Sequence, residues 1–224
     1  MSLLSLALYC EGNTDERFLP PVLEKTTKRI LDEYKRNNMQ VLVRLIEVER
    51  KKRGESILEA AHKAWGNHIL IVHADADDPR ADKAWYERFE PGFKLVQQAP
   101  GGVCRNLLPI IPVQAIEAWM LADYELLLAE IGTGLRANEP NLPMKVGQVE
   151  TIAKPKRRLE EVVRRAYATR TRRRREINID FLYQPMGENI RLERLDGVPA
   201  YRQFVDDLIA SLQTLNIIPI IYEL

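Results

Sequence analysis

Five residues without charge up to a terminal histidine, Ile69-Leu70-Ile71-Val72-His73, are followed closely by three carboxylates, Asp75, Asp77 and Asp78, and then by Pro79. A short run of Ile, Leu and Val reads as a strand buried on both faces, and such strands belong to parallel sheets that helices cover on either side. This strand brings acid to the edge of its sheet. Side chains alternate along a strand, so Asp75 and Asp77 are expected on one side, about two residue rises apart, with Ala74 and Ala76 leaving room between them. Two ionised carboxylates that close raise one another's pKa, a cost that a shared divalent cation removes. Pro79 ends the strand, and Asp78 before it suits a turn or a helix start.

The chain around this run alternates strand and helix patterns. Leu3 to Tyr9 reads as a first buried strand, left by the loop Cys10-Glu11-Gly12-Asn13. Asn13 and Glu16 have capping-box spacing, predicting a helix from Thr14 to Tyr34 that Pro20 and Pro21 kink or split after its first turn. A second strand is expected over Val41 to Val48. A helix over Gly54 to Trp65 follows, closed by Gly66-Asn67. Beyond the acids, Arg80 to Phe89 reads as a helix broken by Pro91-Gly92, and Leu107 to Ile111 as a further strand. Gln114 to Asp123 is a helix, with Ile116, Trp119, Met120 and the later Leu127 on its apolar stripe. The pattern predicts an α/β fold, an open, mainly parallel sheet with helices on both faces. Ligands bind beyond the carboxyl ends of such strands, where Glu11 and the Asp75/Asp77 pair both fall.

From Ile131 to Gly147 the composition turns to Gly, Pro and Asn, placing a boundary near Gly132. Residues 1–131 are read as the core and 132–224 as a basic helical C-terminal extension packed on it. The stretch Thr151 to Arg175 carries Lys154, Lys156, Arg157, Arg158, Arg164, Arg165, Arg170 and Arg172 to Arg175. Leu159, Val162, Val163 and Tyr167 give it a narrow apolar stripe, so a helix is expected with its cationic side outward. Another helix is expected over Tyr201 to Leu215, then a terminal strand over Ile217 to Tyr222.

The 224 residues carry a net charge of only +1, which excludes binding of polyanions through bulk charge and leaves the local cluster of Lys154 to Arg175 for any contact with nucleic acid. Two cysteines, Cys10 and Cys104, make no disulfide framework and fit a reduced, cytoplasmic setting. Met1 to Tyr9 lacks a basic leader and reads as a strand, and no run has the length to span a membrane.

Three acidic stations therefore stand in order: Glu11 after the first strand, Asp75 and Asp77 after the third, and Glu117 at the start of a later helix. Glu11-Gly12 and Asp75-Ala76-Asp77 in these positions resemble the TOPRIM-like superfamily of topoisomerases, primases and OLD-type nucleases. More narrowly, Tyr9 to Glu16 with Pro112 to Asp123, together with Gly187-Glu188-Asn189 and the tail helix, is similar to a small prokaryotic family, domain of unknown function 4276, often encoded beside an ABC-type ATPase. The resemblance implies phosphodiester chemistry with Mg²⁺ or Mn²⁺, Glu11 as acid/base, and Asp75 and Asp77 as metal ligands. The residues themselves agree on the metal. Mg²⁺ takes oxygen ligands, one or two carboxylates plus waters and substrate phosphate, and a second ion would draw in Glu11 or Glu117.

The expected function is thus metal-dependent hydrolysis of DNA or RNA, with Glu11 and Glu117 catalytic, Glu11, Asp75 and Asp77 holding metal, and Lys154, Lys156, Arg157, Arg158, Arg164, Arg165, Arg172 and Arg173 holding nucleic acid. A defence or repair role with an ATPase would suit it. The alternative is a non-catalytic regulatory or nucleic-acid-sensing partner of an ATPase. Other readings stay open. The Asp pair can be a turn and helix cap, Glu11 and Glu117 helix-dipole acids, and the arginine run a solvated helix end. Asp123 reads as a solvated helix acid, His73 as structural and Trp119 as core. A phosphoacceptor aspartate of HAD or receiver type wants an acidic pair after the first strand, where this chain has only Glu11. The oligomeric state is open.

Overall fold

In the computed structural model, residues 2–49, 52–132, 145–167 and 178–220 are described. In chain order they form β1 (Ser2–Tyr9), α1 (Asp15–Glu33), β2 (Met39–Leu45), α2 (Arg53–Lys63), β3 (Ile69–His73), α3 (Ala81–Ala84), a π-helical turn (Trp85–Phe89), α4 (Glu90–Gln98) and β4 (Leu107–Ile110). Then come α5 (Glu117–Ala122), α6 (Tyr124–Ile131), α7 (Pro155–Ala166), α8 (Tyr183–Asn189), α9 (Leu192–Leu195) and α10 (Pro199–Thr214). The strands lie parallel in the order β2-β1-β3-β4. This is the open parallel sheet that the sequence predicts.

Burial follows from strand position. All five residues of β3 are buried, because the strand has a neighbour on each side and helices on both faces. At the edge, β2 alternates between half-buried and exposed. Leu4, Leu6 and Leu8 of β1 with Ile69 and Ile71 of β3 meet α1 and α5 to α10 on one face. Ala7, Leu70 and Val72 meet α2, α4 and Phe89 on the other. Residues from both sides of Gly132, which closes α6 with a left-handed φ of 67°, join the first cluster. Trp119 is fully buried there, edge-on to Tyr201.

Several local expectations are corrected. Helix α1 runs without interruption through Pro20 and Pro21. Their missing N–H groups strip donors from the carbonyls of Glu16 and Arg17, which lie half-buried and exposed, within reach of water. The capping box does not form: Thr14 is the N-cap without a side-chain bond, and the amides of Asp15 and Glu16 bond to the Gly12 carbonyl at 3.2 and 3.4 Å. Pro91 does not break a helix but sits in the first turn of α4, where a residue lacking an N–H is tolerated. Residues 217–220 form no strand. Asn216 turns with φ 55°, and the amide of Ile217 bonds back to Leu212 at 2.9 Å, folding the chain onto the end of α10. Residues 221 and 222 lie outside the described residues. Asp123, expected in solvent, is fully buried between α5 and α6.

The contact between α1 and α8 depends on a glycine. A Cβ added to Gly187 would run into the carbonyl oxygen of Phe18 and lie 2.9 Å from its Cα. Both are backbone atoms, so no rotamer change relieves the clash. Gly187→Ala is expected to destabilise by roughly 1–3 kcal/mol, read from urea unfolding. Stability equal to the parent would show that α8 can move off α1 freely.

Candidate functional site

The carboxyl ends of β1, β3 and β4 lie side by side, with Tyr9 in register with Val72 and His73 with Ile110. Loops leaving β3 and β4 continue to bond: the amides of Ala76 and Asp77 reach the carbonyls of Pro112 and Gln114, both at 3.0 Å. A cleft of about 640 Å³ opens above this edge. Glu11, Asp15, His73, Asp75, Asp77 and Glu117 line it, and Lys154, Lys156 and Arg157 at the start of α7 also line it. All four acids singled out in the sequence thus reach one cleft.

They do not all reach it in the same state. The strand ends at His73, and Asp77 adopts a left-handed φ of 50°, so alternation does not carry through the Asp pair. Asp77 is 65% exposed and accepts from Arg88 Nη2 at 2.6 Å, while Arg88 Nη1 donates to the Asp75 carbonyl at 2.7 Å. Glu11 is ion-paired with Arg53. Asp75 is held differently: its Oδ1 accepts the Ile116 amide at 2.9 Å, just ahead of α5.

Behind these lies a buried group. His73 is 1% exposed, with Nδ1 3.5 Å from Asp15 Oδ2 and Nε2 3.5 Å from Asp75 Oδ1, and neither nitrogen has a hydrogen-bond partner. Burial favours its neutral form, but the two carboxylates outweigh that and raise its pKa. Burial pushes Asp15 up to about 6, with His73 opposing and Asp75 and Glu117 adding to the rise. Burial likewise raises Glu117, against the pull of the Tyr183 hydroxyl that donates to its Oε1. Tyr183 is itself raised, by burial and by Glu117.

Residues 10–194 match the family described as Domain of unknown function (DUF4276). The chain belongs to this family. No curated protein and no solved structure matches it. The matched span of the DUF4276 chain holds every residue of the cleft and stops short of α10.

The cleft of this DUF4276 protein can be tested against a hard cation. Its donors are carboxylate oxygens, and Asp15, Asp75 and Glu117 stand close enough for Asp75 to raise both others. Among the described residues, no three His, Cys, Asp or Glu side chains gather closely enough to hold a metal ion by themselves. Mg²⁺ does not need such a cage, since it is commonly bound through one or two carboxylates with waters and substrate phosphate. Asp75 and Asp15 both line the cleft and each can supply one such carboxylate, with His73 lying 3.5 Å from both.

Of the basic residues, Lys154, Lys156 and Arg157 line the cleft. Arg158 lies 3.5 Å from Glu161, and Arg164 and Arg165 are exposed at the far end of α7. Arg170 and Arg172 to Arg175 lie outside the described residues. Sequence reasoning missed Asp15, Tyr183, Arg53 and Arg88. Only Asp15 had a local signal, as a first-turn acid in the loop that already supplied Glu11. Among the described residues no helix is long and apolar enough to cross a membrane.

Proposed function

We propose that this protein is a TOPRIM-like nuclease that hydrolyses phosphodiester bonds of DNA or RNA with Mg²⁺ or Mn²⁺, in a defence or repair setting beside an ABC-type ATPase. One observation carries the reading: carboxylates from the segments that follow β1, β3 and β4 converge on a cleft that Lys154, Lys156 and Arg157 also line. Asp75 and Asp15 would hold the cation, which when bound stabilises the attacking and leaving oxygens of an in-line displacement. The remaining work belongs to the chain. The basic residues of α7 neutralise the phosphates of a strand laid across the cleft. Glu11, at the exposed end, takes the proton of the attacking water. Glu117, whose proton affinity burial raises and whose carboxyl Tyr183 orients, gives a proton to the leaving oxygen.

Incubation with DNA and RNA in Mn²⁺ tests the reading. Cutting is expected, and it is expected to fall in Glu11→Gln, Asp75→Asn and Glu117→Gln. Intact substrate, or cutting unchanged in all three variants, would remove the enzyme. The second reading, a non-catalytic regulatory or nucleic-acid-sensing partner of an ATPase, draws support from the ion pairs of Glu11 with Arg53 and Asp77 with Arg88, which neutralise part of the acidic edge without any ion. Cation affinity by calorimetry without turnover, together with co-purification of an ATPase, would favour it.

A further inference from the structure

Two arginines that pair with acids lining the cleft are held more firmly than those partners. Arg53 opens α2, its Nε donating to the Arg88 carbonyl at 3.1 Å and its guanidinium lying 5.8 Å from the centre of the Phe89 ring. Arg88 sits in the π-helical turn, and such turns recur at functional sites. It is anchored by the Asp75 carbonyl. Both side chains are about three-quarters buried, at 21% and 26% exposed. Their carboxylate partners are on loops and open to water, Glu11 at 43% and Asp77 at 65%. The anions can leave; the cations cannot follow.

The donors also outnumber the acceptors. Arg53 Nη2 is buried without a hydrogen-bond partner, although Glu11 already pairs with Nη1 of the same guanidinium. A buried donor left unmade is costly, and an ion pair with a carboxylate has not removed that cost here. Burial and the nearby charge of Arg88 together lower the Arg53 pKa to about 10, which places the two cations close to one another. A tetrahedral phosphate offers more oxygens than a carboxylate and takes arginine in bidentate fashion.

We propose that Arg53 and Arg88 form a phosphate-binding site, in which Glu11 and Asp77 stand in for a substrate phosphate and are released to the cleft when one arrives. The site rests on the nuclease reading only for the owner of that phosphate. Its consequence for the chain is an exchange of partners. Phosphate neutralises the arginines, and two carboxylates lose their cations beside the cleft they already line. By linkage, phosphate then strengthens the binding of a divalent cation there, and the cation strengthens that of phosphate.

The test uses the full chain and inorganic phosphate, followed by ³¹P NMR and calorimetry in chelator without divalent cation. Arg53→Gln and Arg88→Gln are expected to weaken phosphate roughly tenfold or more, the worth of a charge-assisted hydrogen bond. Glu11→Gln and Asp77→Asn are expected to strengthen it, by up to roughly fivefold, because each removes a half-exposed internal competitor. These two exposed positions keep the test sound should an arginine variant fail to fold. Phosphate affinity unchanged in both folded arginine variants, or lowered by removing the carboxylates, would overturn the site. Loss confined to Lys154→Gln and Lys156→Gln would overturn it equally. Competition by oligothymidylate without terminal phosphates assigns the site to a diester, and competition by thymidine monophosphate alone to a terminal phosphate. If nucleic acid survives in Mn²⁺ while the arginine and carboxylate effects hold, the nuclease reading falls and the phosphate site stands. Cutting with phosphate affinity indifferent to both arginines gives the reverse.

Discussion

Arg191→Met is expected to lower the stability of the chain by roughly 3 kcal/mol, the lower end of what breaking a buried ion pair costs, because about half of the arginine reaches water. Its partner Asp123 is fully buried at the junction of α5 and α6. That carboxylate accepts the Leu126 amide at 3.3 Å, the Arg191 amide at 3.1 Å, Arg191 Nε at 2.9 Å and Nη2 at 2.5 Å. Without the guanidinium it keeps two amides and an uncompensated buried charge. Burial alone would push Asp123 up, but the bonds from Arg191 prevail and hold it below the usual carboxylate range. A depressed acid contributes stability that is present above its unfolded pKa and lost as pH falls through the folded one. Urea unfolding at pH 7 is therefore expected to show the full difference between parent and variant, and acidification to narrow it. A difference under about 1 kcal/mol at pH 7 would place this clasp among ordinary surface pairs.

Asp123 also shows why part of this molecule could not be read from its sequence. An acid near a helix end looks solvated until its partner is known, and that partner lies 68 residues further along, where no local pattern connects the two. The strand β3 was legible because burial on both faces abolishes alternation and leaves an unbroken apolar run. The helix α7 was legible from its stripe of Leu159, Val162 and Val163 against a basic remainder. Pro20, Pro21 and Pro91 misled, since proline forbids a donor but not a helix when the orphaned carbonyl reaches water or lies in the first turn. Glu11, Asp75, Asp77 and Glu117 were found because they follow strands. Arg53 and Arg88 were not, because nothing in their surroundings in sequence separates them from the other solvated cations of a chain rich in charge. Asp15 was hidden by a good alternative, the preference of helix first turns for acids.

Asp15→Asn is expected to make the protein more stable and less active at once. The Asp15 carboxyl titrates near 6 in the folded chain against an ordinary 3.8, so the folded state binds more protons between those values than the unfolded state does. Stability should accordingly fall as pH rises from about 4 to 6 and stay reduced above, a loss on the order of 3 kcal/mol for a shift of this size. His73 works in the same direction: its raised pKa gives stability that is present at low pH and lost as pH rises through the folded value. Asparagine removes the Asp15 charge, so stability at pH 8 should rise by up to that amount and stability at pH 4 should barely move, both read from urea unfolding. On the nuclease reading, the same change removes an oxygen that would hold the cation, and cutting should fall by roughly 10–100-fold or more, the cost of disturbing even the outer shell of a metal site. Mn²⁺ should stabilise the parent at pH 8 and do much less for the variant. An Asp15→Asn chain less stable than the parent at pH 8 would mean that the carboxylate is satisfied where it stands. A more stable and less active one would mean that the fold keeps an ionised group it is better off without, which is the physical mark of a residue retained for what it binds.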